Sequence, residues 1–322
     1  MGILPANKTN IKIAARTITQ GGLVAFPTET VYGLGADVFN SLAVARIFEV
    51  KKRPEFDPII IHIASVEDLN LIWRQRPDVA LPLIESFWPG PLTLIGLKSP
   101  KIPELVTAGL DTAAVRMPNH SVALALIKEA KRPIAAPSAN LFGFLSPTTA
   151  SHVAQQLGSQ IDLILDGGPT PVGIESTVLD LTGKPTLLRP GGVPLEEIEK
   201  IIGPVRIAPP SPKPLAPGQL THHYAPRATL VIKHDNLKLP SKLKIGYLAF
   251  SSAPANISAY KVEILSPSRN LREAAANLFA ALHRLDQAKV DIIIAEPVPE
   301  EGLGRAIMDR LRKAASATYP QR

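Results

Sequence analysis

The sequence predicts an α/β protein of two domains: an open, twisted, mixed sheet with flanking helices at the N-terminus, and a smaller, Rossmann-like α/β domain at the C-terminus. Helical and strand periodicities alternate over the first two-thirds of the 322-residue chain. Some strand-like runs follow each other too closely for helical crossovers, which indicates a mixed sheet. A proline-rich break is then followed by renewed α/β periodicity.

The N-terminal domain is expected over residues 1–207. Helices are predicted at 7–20, ended by Gly21 and Gly22, and at 41–52, entered through Asn40. A third helix is predicted to begin with Ser146 as its N-cap and Pro147 in its first turn. Short β-rich runs lie between them, and strands are predicted at 23–26, 59–63, 92–97, 113–117, 134–136, 161–165 and 177–181.

The segment 208–226 contains six prolines and reads as an extended linker, because proline is excluded from helix interiors and central strands. Residues 227–322 are expected to form the second domain. Its predicted strands are 229–233, 244–250 and 290–295, and its predicted helices are 271–289 and 304–315.

Composition excludes several classes of protein. The chain has no cysteine, which excludes disulfides and thiolate sites. No apolar stretch approaches the roughly 20 residues of a membrane span, so we expect a cytoplasmic protein. The net charge of +7 arises after residue 207, since charges balance before it. These positive residues are scattered, which is more typical of a solvated surface than of a nucleic-acid interface.

Polar residues interrupt the apolar runs of the first domain, although it lacks both the P-loop and the GxGxxG pattern. FPTETVYGLGAD (26–37) reads as a glycine turn or a ligand loop that carries Glu29 and Thr30. Lys51 and Arg53 stand at a helix end, where the helix dipole alone also favours cations. His62 lies in a buried-type strand.

Further along, Arg116 interrupts an apolar strand and needs an anion, either a structural carboxylate or a substrate carboxylate. Ser138 and Asn140 follow another strand, at a position where α/β proteins often bind anions. A glycine-rich stretch surrounds Glu175, Ser176, Thr177 and Arg189, and HHYAP (222–226) closes the linker.

In this order and spacing, PTETVYGLGAD, KKRP, GPLTL, AVRMP, APSAN, SPTTA, DGG, GIESTV, LLRPGG and HYAP resemble the threonylcarbamoyl-AMP synthase family in its long form. The resemblance is strong over about residues 10–226. It implies a nucleotidyltransferase that condenses L-threonine, bicarbonate and ATP to threonylcarbamoyl-AMP and pyrophosphate. That product begins the threonylcarbamoyladenosine modification of tRNA next to the anticodon.

The resemblance also implies two groups of site residues. Around ATP it places Lys51, Arg53, Asp57, Thr112, Ser138, Asn140, Ser146, Arg189 and Tyr224. Around threonine it places Thr30, His62, Arg116, the backbone at Ala136, and Ser176. Lys51 and Arg53 would act in catalysis by holding the triphosphate, and Arg116 would pair with the threonine carboxylate. Asp57 stands where many members have Asn or Ser, and a carboxylate there needs a basic neighbour or a metal.

The implied reaction needs positioning and charge neutralisation rather than a covalent nucleophile. We expect Mg²⁺ to enter with ATP, no metal-ligating protein residues, and a linker that closes over the nucleotide as a lid. Hand-over of the product to the tRNA threonylcarbamoyl transferase machinery is expected, while direct tRNA binding stays open. Two alternatives are a double-stranded RNA or ribosome-binding module without catalysis, and a carbamoyl-transfer maturation enzyme, which would carry cysteines.

Overall fold

The computed structural model describes residues 2–209, 214–220, 223–234, 237, 242–253 and 258–316. Within these residues the first two-thirds of the chain forms an 11-stranded mixed sheet. Its strands are β1 (Gly2–Pro5), β2 (Val24–Pro27), β3 (Tyr32–Asp37), β4 (Ile61–His62), β5 (Leu92–Leu97), β6 (Thr112–Arg116), β7 (Ile134–Ala135), β8 (Leu163–Asp166), β9 (Thr177–Asp180), β10 (Thr186–Arg189) and β11 (Arg206–Ile207).

The strand order is β1-β8-β2-β3-β7-β4-β6-β5-β9-β10-β11. The sheet contains parallel pairs such as β4 with β6 and antiparallel pairs such as β2 with β3, so the predicted mixed sheet is confirmed. The helices of this unit are α1 (Lys8–Thr19), α2 (Ser41–Lys51), α3 (Leu69–Ile72), α4 (Ala80–Phe87), α5 (Glu104–Thr107), α6 (Ser121–Ala130), α7 (Ala150–Leu157) and α8 (Leu195–Ile202).

Local sequence explains several boundaries. Asn7 and Asn40 cap α1 and α2 through their side chains, as the sequence predicts. The predicted Ser146 cap is wrong: the N-cap of α7 is Thr149, three residues later. The expected glycine turn over 26–37 is partly wrong as well, because residues 32–37 form the central strand β3.

The second unit is a four-stranded parallel sheet in the order β12-β15-β13-β14, which agrees with the predicted Rossmann-like class. Its elements are β12 (Thr229–Ile232), β13 (Ile245–Ala249), β14 (Lys261–Ile264), α9 (Leu271–Gln287), β15 (Ile292–Ala295) and α10 (Gly304–Ala315). The predicted helix 304–315 matches α10, whereas β14 was not predicted.

The two units share one apolar core. Val31, Leu145 and Ile174, from loops of the first unit, are buried in the same cluster as the inner faces of α9 and α10. Gly173 has a φ of +74°, and a Cβ there would lie 2.5 Å from the Cα of Ala276. Only glycine permits so close an approach, so this loop fixes α9 against the first unit. The domain limits at 207 and 226 themselves stay predictions.

Candidate active site

A cavity of about 50 Å³ lies where the sheet of the first unit meets the linker. Parallel strands β4 and β6 place His62 and Arg116 side by side in register at its floor. The loop after β7 forms a second wall, because the Ala136 amide donates to the Ile60 carbonyl at 3.0 Å. Pro217, Gly218, His223 and Tyr224 cover the cavity. We call the described linker residues 214–220 and 223–226 the strap.

Nine of the fourteen residues implied by the resemblance line this cavity: Thr30, Arg53, His62, Arg116, Ala136, Ser138, Ser176, Arg189 and Tyr224. Four others, Lys51, Asp57, Asn140 and Ser146, contact a lining residue or its loop from behind. Thr112 is the exception. It begins β6, four residues before Arg116, which places the two Cα atoms about 13 Å apart at the rise of an extended strand.

Arg116 already has an anion in this structure. Its Nη2 lies 2.6 Å from Oε2 of Glu29, and both side chains are buried. Nη1 donates to the Thr30 hydroxyl at 2.9 Å, and Nε donates to the Gly90 carbonyl at 3.2 Å. Of the two anions that the sequence left open, the structural carboxylate is therefore present. Arg116 still lines the cavity, so it can contact a second, bound carboxylate.

His62 is neutral at physiological pH. Burial, together with the positive charge of Arg116, lowers its pKa to about 3. A neutral imidazole can accept or donate a hydrogen bond but contributes no charge. His62 is therefore suited to contact a hydroxyl group rather than an anion.

Arg53 forms an ion pair with Asp57. The sequence predicts that the Asp57 carboxylate needs a basic neighbour or a metal, and Arg53 is that neighbour. The Asp57 carboxylate lies 2.9 Å from Nη2 of Arg53, and the carbonyls of Asp57 and Pro58 accept from the same guanidinium at 3.1 and 2.7 Å. Burial raises the pKa of Asp57, while Arg53 and Lys51 oppose that rise. Asp57 thus has the basic neighbour it needs, and Arg53 is fixed with its edge at the cavity.

Lys51 is buried behind the Ser138–Asn140 loop. Its Nζ donates to the Ser138 carbonyl at 2.6 Å and also to the Asn140 carbonyl. Burial and the neighbouring Arg53 lower the pKa of this ammonium group. Lys51 therefore fixes the loop that carries Ser138, and it places positive charge one layer behind the cavity wall.

Arg189 joins the sheet to the strap. Its guanidinium donates to the Ser176 carbonyl at 2.9 Å, to the Ser176 hydroxyl at 3.1 Å and to the Pro217 carbonyl at 3.0 Å. Ser176 also shares a hydrogen bond of 2.8 Å with Thr93. A Cβ at Gly218 would lie 2.5 Å from the Tyr224 hydroxyl, so glycine lets the strap approach.

Tyr224 is held in an uncommon backbone conformation, with a φ of +63°. Such a residue costs on the order of 1–3 kcal/mol and persists only where surrounding contacts enforce it. Here the ring is buried, packs on Phe279 and lies edge-on to His223. The tertiary contacts of the second unit therefore hold the strap over the cavity.

Glu175 and Arg310 carry roles that the sequence did not assign. Ser146, the expected helix cap, instead donates its hydroxyl to Glu175. Glu175 lines the cavity and also accepts from Arg310 of α10 at 2.9 Å. One sequence signal could have located Arg310: it interrupts the apolar face of α10 between Ile307 and Ala314.

A cavity with Lys51, Arg53, Arg116 and Arg189 in or behind its walls defines an α/β enzyme for anionic substrates. A family profile described as "Telomere recombination" matches residues 16–191, and the profile of the threonylcarbamoyl-AMP synthase C-terminal domain matches residues 193–316. The chain belongs to the threonylcarbamoyl-AMP synthase family.

Similar proteins match over nearly the whole chain. The threonylcarbamoyl-AMP synthase of Pyrococcus abyssi is 49% identical over 95% of this chain and 94% of its own length. That of Bacillus subtilis is 45% identical over 97% and 94%. The crystal structure of P. abyssi Sua5 complexed with L-threonine superposes with a TM-score of 0.90, at 48% identity, and covers 96% of this chain and 95% of that one. The family predicted from the motifs is confirmed.

The described residues contain neither a membrane-spanning helix nor a cluster of metal ligands. Among them, no helix has the length and apolar character needed to cross a membrane. In the same part of the chain, no three His, Cys, Asp or Glu side chains cluster as metal ligands would.

Proposed function

We propose that this chain condenses L-threonine, bicarbonate and ATP to L-threonylcarbamoyl-AMP and pyrophosphate, and so supplies the first step of threonylcarbamoyladenosine formation in tRNA. The observation that carries the proposal is the convergence of nine family-site residues on one cation-rich cavity in a chain that matches this family over nearly its full length. This activity, rather than RNA binding without catalysis, fits a small cavity lined by buried cations.

The threonine side of the cavity is proposed to be the floor formed by Thr30, His62 and Arg116. Arg116 would receive the carboxylate of threonine, with Glu29 keeping the guanidinium in place from the other side. Thr30 and neutral His62 would contact the threonine hydroxyl. Ser176 and the Ala136 backbone complete this wall.

The nucleotide side is proposed to lie beneath the strap, between Arg53 and Arg189. The attack of the threonine carbamate on the α-phosphorus brings several negative charges together, which these guanidinium groups would offset. Each group is already oriented by carbonyl acceptors, so little rearrangement is needed when charge develops. Lys51 adds positive charge from behind the Ser138 loop.

Bicarbonate is proposed to supply the carbamate carbon, because the adenylate product carries one carbon more than threonine. Mg²⁺ is proposed to enter with the triphosphate, since Mg²⁺ in nucleotide sites is held largely by phosphate oxygens and water. The carboxylate in the cavity wall, Glu175, is already engaged by Arg310 and Ser146. The bound ion would offset phosphate charge, while the chain itself positions the reactants.

The strap is proposed to open and close during turnover. Small-molecule sites usually enclose about 300–1,000 Å³, whereas this cavity encloses about 50 Å³. ATP therefore cannot enter unless residues such as Gly218 and Tyr224 move away from Arg189. A closed strap would then protect the carbamate and the mixed anhydride from water.

Product analysis tests the proposal directly. The protein is mixed with ATP, Mg²⁺, ¹⁴C-threonine and bicarbonate, and we expect a labelled adenylate together with an equal amount of pyrophosphate. Omission of bicarbonate should abolish the adenylate. Pyrophosphate release that is independent of threonine, or no adenylate at all, would contradict the proposed reaction.

A further inference from the structure

Helix α10 of the second unit carries a buried charge on its apolar face. Ile307, Leu311 and Ala314 pack into the shared core, and Arg310 lies among them with 1% of its surface exposed. A guanidinium loses its hydration at such a position, so it is tolerated only with well-placed partners. The partners of Arg310 therefore indicate what the residue does.

Those partners belong mainly to the first unit and the strap. Nε donates to Oε2 of Glu175 at 2.9 Å, and Nη1 donates to the Pro190 carbonyl at 2.8 Å. Nη1 also contacts Asp309 of its own helix at 2.8 Å. The guanidinium carbon lies 5.0 Å from the centre of the Tyr224 ring. One side chain thus joins the Glu175 loop, the segment after β10 and the strap.

Two of these partners, Glu175 and Tyr224, line the cavity. Glu175 uses its second oxygen to accept from Ser146, so Arg310, Glu175 and Ser146 form a continuous chain. Burial would raise the pKa of Glu175, but the charges of Arg310 and Arg189 outweigh that effect and lower it. Glu175 is therefore ionised and fixed in place as long as Arg310 is present.

The next turn of α10 also contacts the strap, through Lys313. Lys313 donates from Nζ to the Gly218 carbonyl of the strap at 2.7 Å. Gly218 directly follows Pro217, whose carbonyl accepts from Arg189 at 3.0 Å. Helix α10 therefore holds both the strap and the Glu175 loop, whereas none of the described contacts of Arg310 reaches Thr30, His62 or Arg116 on the floor.

We propose that Arg310 is a positioning residue through which the second unit aligns Glu175, Ser146 and Tyr224 on the nucleotide side of the cavity. The inference rests on the proposed function for the identity of the nucleotide. It predicts that loss of Arg310 weakens ATP binding selectively, because the floor that receives threonine keeps its own contacts.

The test compares R310M with R305M in the full-length protein. Arg305 lies on the same helix and also pairs with the first unit, through Glu196 at 3.1 Å, but it is partly exposed and away from the cavity. Calorimetry should show ATP affinity at least tenfold weaker in R310M and within twofold of wild type in R305M. Threonine affinity should stay within threefold of wild type in both variants.

Equal ATP affinities in R310M and R305M would overturn the inference, as would equal losses of ATP and threonine affinity in R310M. Because R310M leaves Glu175 buried without its partner, R310K is measured beside it. The lysine keeps the charge but replaces the planar guanidinium, whose Nε and Nη1 bind Glu175 and Pro190 separately, with a single nitrogen. A folded R310K should bind ATP three- to tenfold more weakly than wild type, and unchanged binding refutes the inference. Failure of the proposed reaction is distinct: wild type would bind ATP but form no adenylate.

Discussion

We predict that a stacked pair of histidines at the junction of the two units makes the stability of the protein sensitive to acid. His152 of α7 and His283 of α9 have ring centres 3.8 Å apart, with their planes inclined by 19°. His283 Nε2 lies 3.1 Å from the Ser146 carbonyl, and His152 Nδ1 accepts from the Thr148 amide at 3.3 Å. Burial and nearby positive charge lower the pKa of His152 to about 3, and burial lowers that of His283 to about 4.

The sign of the effect follows from proton binding. In the unfolded chain both histidines have a pKa near 6.5. Below that pH the unfolded state therefore binds protons that the folded state does not bind. The stabilisation is present above pH 6.5 and is lost as the pH falls towards the folded-state values. pH 5 lies about 1.5 units below the unfolded-state pKa, which lowers the free energy of unfolding by about 2 kcal/mol for each histidine. The pair therefore accounts for about 4 kcal/mol.

Urea unfolding at pH 7.5, 6 and 5 measures this contribution in wild type and in the H152Q/H283Q double variant. The loss of unfolding free energy between pH 7.5 and pH 5 should be smaller in the double variant by about 3–4 kcal/mol. His62 remains in both proteins and its contribution cancels. H234Q, at an exposed position, is the matched control. Identical pH dependence in wild type and double variant would refute the reasoning.

Three further predictions concern catalysis. Arg53→Met should lower adenylate yield by an amount equivalent to about 2–4 kcal/mol, and Lys51→Met should lower it as well. Both variants should also lower the melting temperature, because the first leaves the buried Asp57 carboxylate without its ion pair and the second removes the donor of two loop carbonyls. Wild-type pyrophosphate release from either folded variant would contradict its role. If Thr30 contacts the substrate hydroxyl, valine, which lacks that hydroxyl, should be turned over far less than serine, which lacks only a methyl group. The reason is that valine leaves the buried Thr30 hydroxyl unpaired, which costs more free energy than a missing methyl group. Comparable turnover of valine and threonine would exclude the contact. Tyr224→Ala and the fragment 1–207 should both bind ATP more weakly and yield less adenylate than the intact protein. If both have the ATP affinity and adenylate yield of the intact protein, the strap only connects the two units. The fragment also exposes the apolar loops that pack on α9, so Tyr224→Ala in the full chain is the cleaner comparison.

The HHYAP segment at the end of the expected lid contains His222, His223 and Tyr224. His222 lies outside the described residues. His223 and Tyr224 line the cavity, which agrees with the expected location of the linker, while the opening of the strap stays a prediction. Burial and the charges of Arg53 and Lys51 lower the pKa of His223 well below its usual value, so it is neutral when the strap is closed.

Local sequence was sufficient wherever the structure depends on near neighbours. Asn7 and Asn40 cap their helices because each side chain bonds an amide three residues ahead. Strand 92–97 and helix 304–315 match their predicted limits, because apolar periodicity bounded by glycine or proline is a local property. The order of the motifs was likewise enough to identify the family.

Only the tertiary structure decided the partners of the buried charges. Ser146 follows the local pattern of a helix cap, but the approach of Glu175 from 29 positions along the chain gives its hydroxyl a charged acceptor instead. Arg116 finds Glu29, 87 positions away, and Arg310 finds Glu175, 135 positions away. A pattern of residue types indicates that a buried charge needs a partner. Which partner it finds depends on how distant segments pack, because desolvation makes the nearest well-oriented opposite charge the favoured one.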